Sequence, residues 1–278
     1  MPWIEALVAV GKTAGAVGSI AKTSPALIRH TKRAVWRVTR GKVVLPIFGS
    51  GGVGKSTAAK VLAGQSAYDA HGPYSESWWV ESVPLQGDIP GELRVAPGQL
   101  ARIERHWPDL FKSVVTGKAL GLVNIVAYGY HSLELPSFRD HDLAQPGEGI
   151  LEFASRYCAQ RRDLELQLLD QLIDGLSAAT TPIWMVTLVN KQDLWWEQRD
   201  QVRRHYEQGD YATRLERLSN RLGAASFQHE FMPVSLAISN LTSATGEIIA
   251  ATRQGYDIEK QKASLHGMAS QIQRLIRQ

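Results

Sequence analysis

Apolar positions along the chain follow two alternating rhythms. Short, nearly uninterrupted apolar runs alternate with longer stretches where apolar residues return every three or four positions, the mark of strands alternating with helices. Lys42 to Phe48 is a short β-branched run and predicts a strand, and a glycine-rich loop and a helix over Ser56 to Leu62 follow. Trp78 to Leu85 and Glu92 to Val95 read as strands joined by the turn residues Gln86-Gly87-Asp88. Gly121 to Ala127 and Ile183 to Val189 read as buried strands, the second interrupted only by Thr187. Between them Leu151 to Leu176 predicts a long amphipathic helix with Leu164, Leu168, Leu169, Leu172, Ile173 and Leu176 on its apolar side. Two helical segments near 196–208 and 212–222, a last strand over Phe231 to Val234, and a final helix capped by Asp257 complete the body. Ile258, Leu265, Met268, Ile272 and Leu275 form the inner face of that last helix. Strands that are apolar on both faces and alternate with helices predict an α/β fold, with a mostly parallel sheet of about six strands covered by helices.

In such sheets ligands bind beyond the carboxyl ends of the strands, and two motifs fall there. Gly49-Ser50-Gly51-Gly52-Val53-Gly54-Lys55-Ser56 matches the phosphate-loop pattern in full, between a strand and a helix. Glycines at Gly49, Gly51, Gly52 and Gly54 let backbone N–H groups approach a polyphosphate, with Val53 and Thr57 completing the cradle. The following helix turns its positive end toward the phosphates. Lys55 is the point charge for the outer phosphates, and the Ser56 hydroxyl suits magnesium.

A phosphate loop does not choose between ATP and GTP. Asn190-Lys191-Gln192-Asp193, at the end of an apolar strand, does. A carboxylate there accepts two hydrogen bonds from the guanine edge, which adenine lacks, and the wrong base leaves it unpaired. Asn190 can tie this loop to the phosphate loop, and the Lys191 stem can cover the base.

In this order the motifs resemble those of the small Ras-like and Arf-like GTPases and their bacterial relatives, from about Lys42 to the C-terminal helix. The resemblance implies a three-layer phosphate-loop GTPase fold that binds GTP or GDP with magnesium and acts as a hydrolysing switch. It also implies an effector or activating protein as partner. Val234-Ser235-Leu236-Ala237 is similar to that family's last base-contacting turn, where the Leu236 amide would meet the guanine carbonyl and Ser235 would support the site.

The family's Asp-x-x-Gly segment, whose aspartate holds magnesium through water, has two counterparts. Val95-Ala96-Pro97-Gly98-Gln99 has the family-like spacing but valine in the aspartate position. Asp88-Ile89-Pro90-Gly91 has the literal pattern but a poor strand before it. The first is favoured because Gln86-Gly87-Asp88 is the better hairpin turn. It makes Gln99 the water-orienting glutamine and leaves the magnesium carboxylate missing, so an alternative reading is a binding module with little or no hydrolysis. No threonine lies between Ala58 and Val115; Ser75 or Ser77 is left as the switch ligand to magnesium. No arginine lies between Gly64 and Ser77, so that loop supplies no arginine finger.

Composition adds three points. Apolar residues make up 44% and charged residues 21%, enough to bury a sizeable core without wholesale disorder. The single cysteine, Cys158, permits no internal disulfide and points to a reducing, cytoplasmic compartment. The net charge of +4 is uneven: residues 1–42 carry eight basic side chains against Glu5 alone, so residues 43–278 sum to −3. Residues 1–41 therefore read as a basic helical N-terminal extension, and 42–278 as the nucleotide-binding domain, with an insertion near 130–149. The apolar stretch Trp3 to Ala21 is broken by Glu5 and Lys12, too early for a bilayer span. An apolar helix followed by a basic one can pack on the body, on a partner or second copy, or lie on an anionic membrane. No sequence-specific nucleic-acid contact is expected.

Overall fold

The computed structural model describes residues 43–66, 79–85 and 90–277. The N-terminal extension, Trp78, Ser75, Ser77 and Asp88 lie outside the described residues. A six-stranded sheet forms the centre, in the order β2-β3-β1-β4-β5-β6, where β1 is Val43–Phe48, β2 Glu81–Leu85, β3 Gly91–Val95, β4 Gly121–Val126, β5 Ile183–Val189 and β6 Phe227–Pro233. Every neighbouring pair is parallel except β2 with β3, an antiparallel hairpin. Pro84 is tolerated in β2 because that strand is at the sheet edge, where one row of donors has no ladder to join.

Helices cover both faces. On one lie α1 (Lys55–Leu62) and the last helix, α7 (Ile258–Arg277). Ala58, Ala59, Met268, Ile272 and Leu275 pack there on Leu45, Ile47, Leu93, Val123, Ile125 and Val186. On the other lie α2 (Leu100–Val115), α3 (Ile150–Leu176), α5 (Arg199–Glu207) and α6 (Asp210–Leu222), with the short α4 (Gln192–Trp195) at the strand ends. Phe48, Leu122, Val126, Met185 and Val189 point to this second core, with Trp107, Phe153, Leu169 and Tyr211. Neighbouring residues of β4 thus enter different cores, as a period of two requires. A small hairpin of β7 (Leu241–Thr242) and β8 (Ile248–Ala250) sits apart from the main sheet. Among the described residues no helix is long and apolar enough to cross a membrane.

The expected α/β fold with a mostly parallel six-stranded sheet is present, with three differences in detail. The strand expected over Trp78 to Leu85 begins at Glu81. The last strand starts at Phe227 instead of Phe231, because His229, bonded to Thr187 of β5, and Phe231, tilted against Tyr206 and edge-on to Tyr211, extend the pairing with β5. Finally, α2 is a sixteen-residue helix in a segment to which the apolar rhythm assigned no element. Pro108 inside it masks the pattern, yet Ile103, Trp107, Leu110 and Val114 form one buried stripe that holds the helix on the sheet.

Candidate functional site

At the carboxyl end of β1 the chain turns through Gly49–Gly54 into α1. Gly54, the residue before the helix, has φ +98°, and a Cβ there would lie 2.5 Å from the Asn190 side-chain nitrogen. Only glycine satisfies both the left-handed backbone and that close approach. Val53 is buried, while Ser56 and Thr57 are half-buried on the first turn of α1. Lys55 is buried, and its Nζ donates to the Ser50 carbonyl at 2.7 Å. Burial pushes its ammonium down to about 7, with the Glu81 carboxylate pulling the other way.

The second motif meets the first. Asn190 Nδ2 donates to the Val53 carbonyl at 2.7 Å, and Asn190 Oδ1 accepts from the Leu236 amide at 3.1 Å. The Leu236 amide, which the family resemblance sends to a guanine carbonyl, is thus spent on Asn190. Asp193 is 1% exposed. Its Oδ1 accepts from the Ser235 hydroxyl at 2.6 Å and its Oδ2 from the Ser239 amide at 3.1 Å. Burial pushes its carboxyl up, against those hydrogen bonds and Lys191. Lys191 adopts φ 60°, and its Nζ lies 3.5 Å from Ser132 Oγ. Ser132 in turn donates its amide and hydroxyl to the Gly52 carbonyl. Burial lowers the Lys191 ammonium to about 8. The buried Trp195 ring braces the loop from behind, its Nε1 donating to the Asn190 carbonyl at 2.8 Å.

The switch-like segment follows β3. Val95 ends that strand, fully buried, with Ile47 of β1 on one side and Glu81 of β2 on the other. The residue at the family's aspartate position is therefore apolar. Glu81 brings a carboxylate to the neighbouring strand, on the flank where it acts on Lys55. Directly opposed residues of an antiparallel pair project to the same face, so Glu81 stands where sequence reasoning found no acid. The hairpin register was its hidden signal.

Gly98 lies against the phosphate-loop motif, with its carbonyl accepting from the Gly51 amide at 3.0 Å. A Cβ on Gly98 would come within 2.3 Å of Lys55 Nζ and 2.6 Å of the Gly51 nitrogen. A phosphate seated on this loop has to displace both the Gly98 carbonyl and the Lys55–Ser50 contact. Gln99 stands at the start of α2 and lines a cavity of about 230 Å³ with Gly51, Gly98, His131, Ser132 and Arg161.

Behind the loop runs a buried chain of polar groups that the sequence did not announce. Ser50 Oγ lies 3.2 Å from His131 Nδ1, and His131 Nε2 lies 2.8 Å from Glu165 Oε1. Glu165 also accepts from the amides of Ala127 and Gly129, and from the Tyr206 hydroxyl at 2.6 Å. Burial acts to raise the Glu165 carboxyl, but these donors outweigh it and hold the group below its ordinary value. Burial lowers His131, while the Glu165 carboxylate acts to raise it; with Nε2 paired to Glu165, Nδ1 is left to meet the Ser50 hydroxyl. One signal existed for Glu165: it sits on the buried face of α3 with Leu168, Leu169 and Leu172, where an acid needs partners.

Glu165→Ala strands two amides, a ring N–H and a hydroxyl in the interior, and is expected to cost about 3–5 kcal/mol. Because its folded-state affinity for protons is depressed, the stability Glu165 supplies is complete above its ordinary value of 4.5 and is lost as pH falls below it. Urea denaturation at pH 7 and pH 4 measures both effects; a loss under about 1 kcal/mol at pH 7 would remove Glu165 as the organiser of this region.

No protein-family model matches the chain, and no curated protein matches it. Solved structures do, among them that of the mammalian SRP receptor, at 15% identity and a TM-score of 0.40, covering 69% of this chain and 91% of that one. The α/β architecture stands on its own strand order and register.

Proposed function

We propose that this protein binds a guanine nucleotide, with its phosphates on Gly49–Thr57 and its base at Asn190–Asp193, and hydrolyses GTP to GDP and phosphate as a molecular switch. The observation that carries this reading is the Asn190 side chain, which bonds the phosphate-loop motif and the Ser235–Leu236 turn at once. Both ends of one nucleotide are thereby served by a single connected framework. Lys55 holds the outer phosphates and Asp193 reads the base. Gln99 orients the attacking water from the rim of the cavity beside Gly51. Nucleotide extracted from the purified protein and calorimetric titration with GTP, GDP and ATP test the assignment. Guanine nucleotides binding no better than ATP would overturn it.

The donor set beside the loop fits a magnesium ion: the Ser56 hydroxyl at the first turn of α1, and the Glu81 carboxylate opposite Val95. Bound there, the ion would neutralise phosphate charge. Glu81→Gln is expected to raise the magnesium concentration needed for tight GDP binding by about tenfold, and Val95→Asp in the same chain to restore it. Magnesium titrations of fluorescent-GDP release give the midpoint, and an unchanged midpoint in Glu81→Gln would eliminate that carboxylate.

Val95 favours a second reading, a regulatory module that binds GTP or GDP without turnover. A measurable GTP turnover by the wild-type chain with magnesium separates the two. Partner contacts through the basic residues 1–41, with an effector, an activating protein, a second copy or a membrane, belong to the same proposal, as does a cytoplasmic location.

A further inference from the structure

The cavity beside Gly51 contains a cation that none of the motifs accounts for. Arg161 lies on α3, more than one hundred residues beyond the loop it faces, and lines the cavity with Gly51, Gly98, Gln99 and His131. Its Nε is buried and has no hydrogen-bond partner among the described residues. Leaving that nitrogen dry and unpaired costs stability, while the half-buried side chain as a whole lines the cavity, whose wall also holds the Glu134 carboxylate. The side chain is also held in place. Its Cζ lies 4.9 Å from the centroid of the Tyr157 ring, and the Tyr157 hydroxyl donates to the carbonyls of His131 and Ser132 at 3.2 Å. Ser132 is bonded to Gly52. A continuous shelf therefore connects Arg161 to the phosphate-loop motif itself. Its charge acts on His131 in the cavity wall, and also on His141, in the same direction as the burial that lowers both.

We propose that Arg161 is a catalytic cation supplied by the chain itself, which meets the terminal phosphate of GTP from the α3 side. This rests on the nucleotide reading above. In the reaction, the water oxygen bonds to the terminal phosphorus and the bond from that phosphorus to the bridging oxygen breaks. The bond's electron pair leaves on GDP, and both water protons end on the released phosphate, one kept by the attacking oxygen and one passed to a terminal oxygen. Negative charge gathers on the bridging and terminal oxygens as the bond breaks. A preorganised guanidinium is worth most there, because it needs no rearrangement of water and binds two oxygens at once. The loop that lacks arginine, Gly64 to Ser77, is thereby relieved of that role.

The test uses the full-length chain with magnesium, comparing wild type with Arg161→Ala, Arg161→Gln and Arg161→Lys. Single-turnover GTP hydrolysis is read beside equilibrium binding of fluorescent GDP with and without aluminium fluoride, which mimics the phosphate in transfer. The expected result is that wild type binds GDP–aluminium fluoride with no partner protein. Arg161→Ala and Arg161→Gln then lose that binding and about 10²–10³-fold in rate, while GDP affinity stays within about threefold. Arg161→Lys keeps part of both. If the neutral variants bind GDP–aluminium fluoride as wild type does, or lose GDP and GDP–aluminium fluoride binding equally, Arg161 is not catalytic and the nucleotide reading stands. If wild type binds GTP but neither hydrolyses it nor takes up GDP–aluminium fluoride, the catalytic assignment falls together with the hydrolysing half of the reading, and the nucleotide-binding half stands. If wild type binds no guanine nucleotide, both fall.

Discussion

Lys55→Ala is expected to weaken GTP and GDP binding by at least about a hundredfold, the consequence of removing a buried charge that faces the phosphates. The lysine is 8% exposed and rests on the Ser50 carbonyl, a contact it gives up when a phosphate arrives. Burial has already brought its ammonium down to about 7. The sign of the pH dependence follows. Above about pH 7 the free protein holds Lys55 neutral, and binding a polyanion must first return a proton to it. Wild-type affinity is therefore expected to be flat with respect to this group below pH 7, and to fall by up to about tenfold per pH unit above it. Lys191, at about 8, adds to the fall at higher pH. Calorimetry at pH 6.5, 7.5 and 8.5, in buffers of different ionisation heat, reads both the affinity and the proton taken up. A Lys55→Ala chain that binds GTP as wild type does would end the assignment of Gly49–Thr57 as the phosphate site.

Asp193→Asn is expected to reverse base preference, cutting GTP affinity at least about a hundredfold while raising affinity for xanthosine triphosphate. A carboxylate only accepts; an amide also donates, and xanthine carries a carbonyl where guanine carries an amine. Asp193 already receives the Ser235 hydroxyl and the Ser239 amide, so a base edge competes with Ser239 for Oδ2. The same substitution turns an acceptor into a donor facing one of these groups and is expected to cost about 1–3 kcal/mol of folding stability. Competition titrations with guanosine, xanthosine and adenosine triphosphates, alongside thermal melts, separate the two effects. An unchanged order of preference would show that Asp193 does not touch the base.

The parts of the site that the sequence announced are those carried by consecutive residues. Gly49–Ser56 and Asn190–Asp193 are each a single turn at the end of an apolar strand, so local order and glycine stereochemistry already specify them. The segment Val95-Ala96-Pro97-Gly98-Gln99 is local in the same way: β3 ends at Val95, and Gly98 lies on Gly51. Three elements escaped notice because a local feature hid them. Pro108 interrupts the period of α2, and the two- and three-residue strands β7 and β8 are too short to carry a pattern.

By itself, the order of apolar and polar residues determined the α/β class, the parallel sheet and the two motifs at its carboxyl edge, because each depends on neighbours within a turn or a strand. Only the tertiary structure decided that Glu81 stands across from Val95, that Ser50, His131 and Glu165 form one buried chain, and that Arg161 faces Gly51. Ser50 and His131 are 81 positions apart, and His131 and Glu165 are 34 apart. Their meeting depends on strand register and on how α3 packs over the sheet, and no periodicity in the sequence encodes contacts of that range.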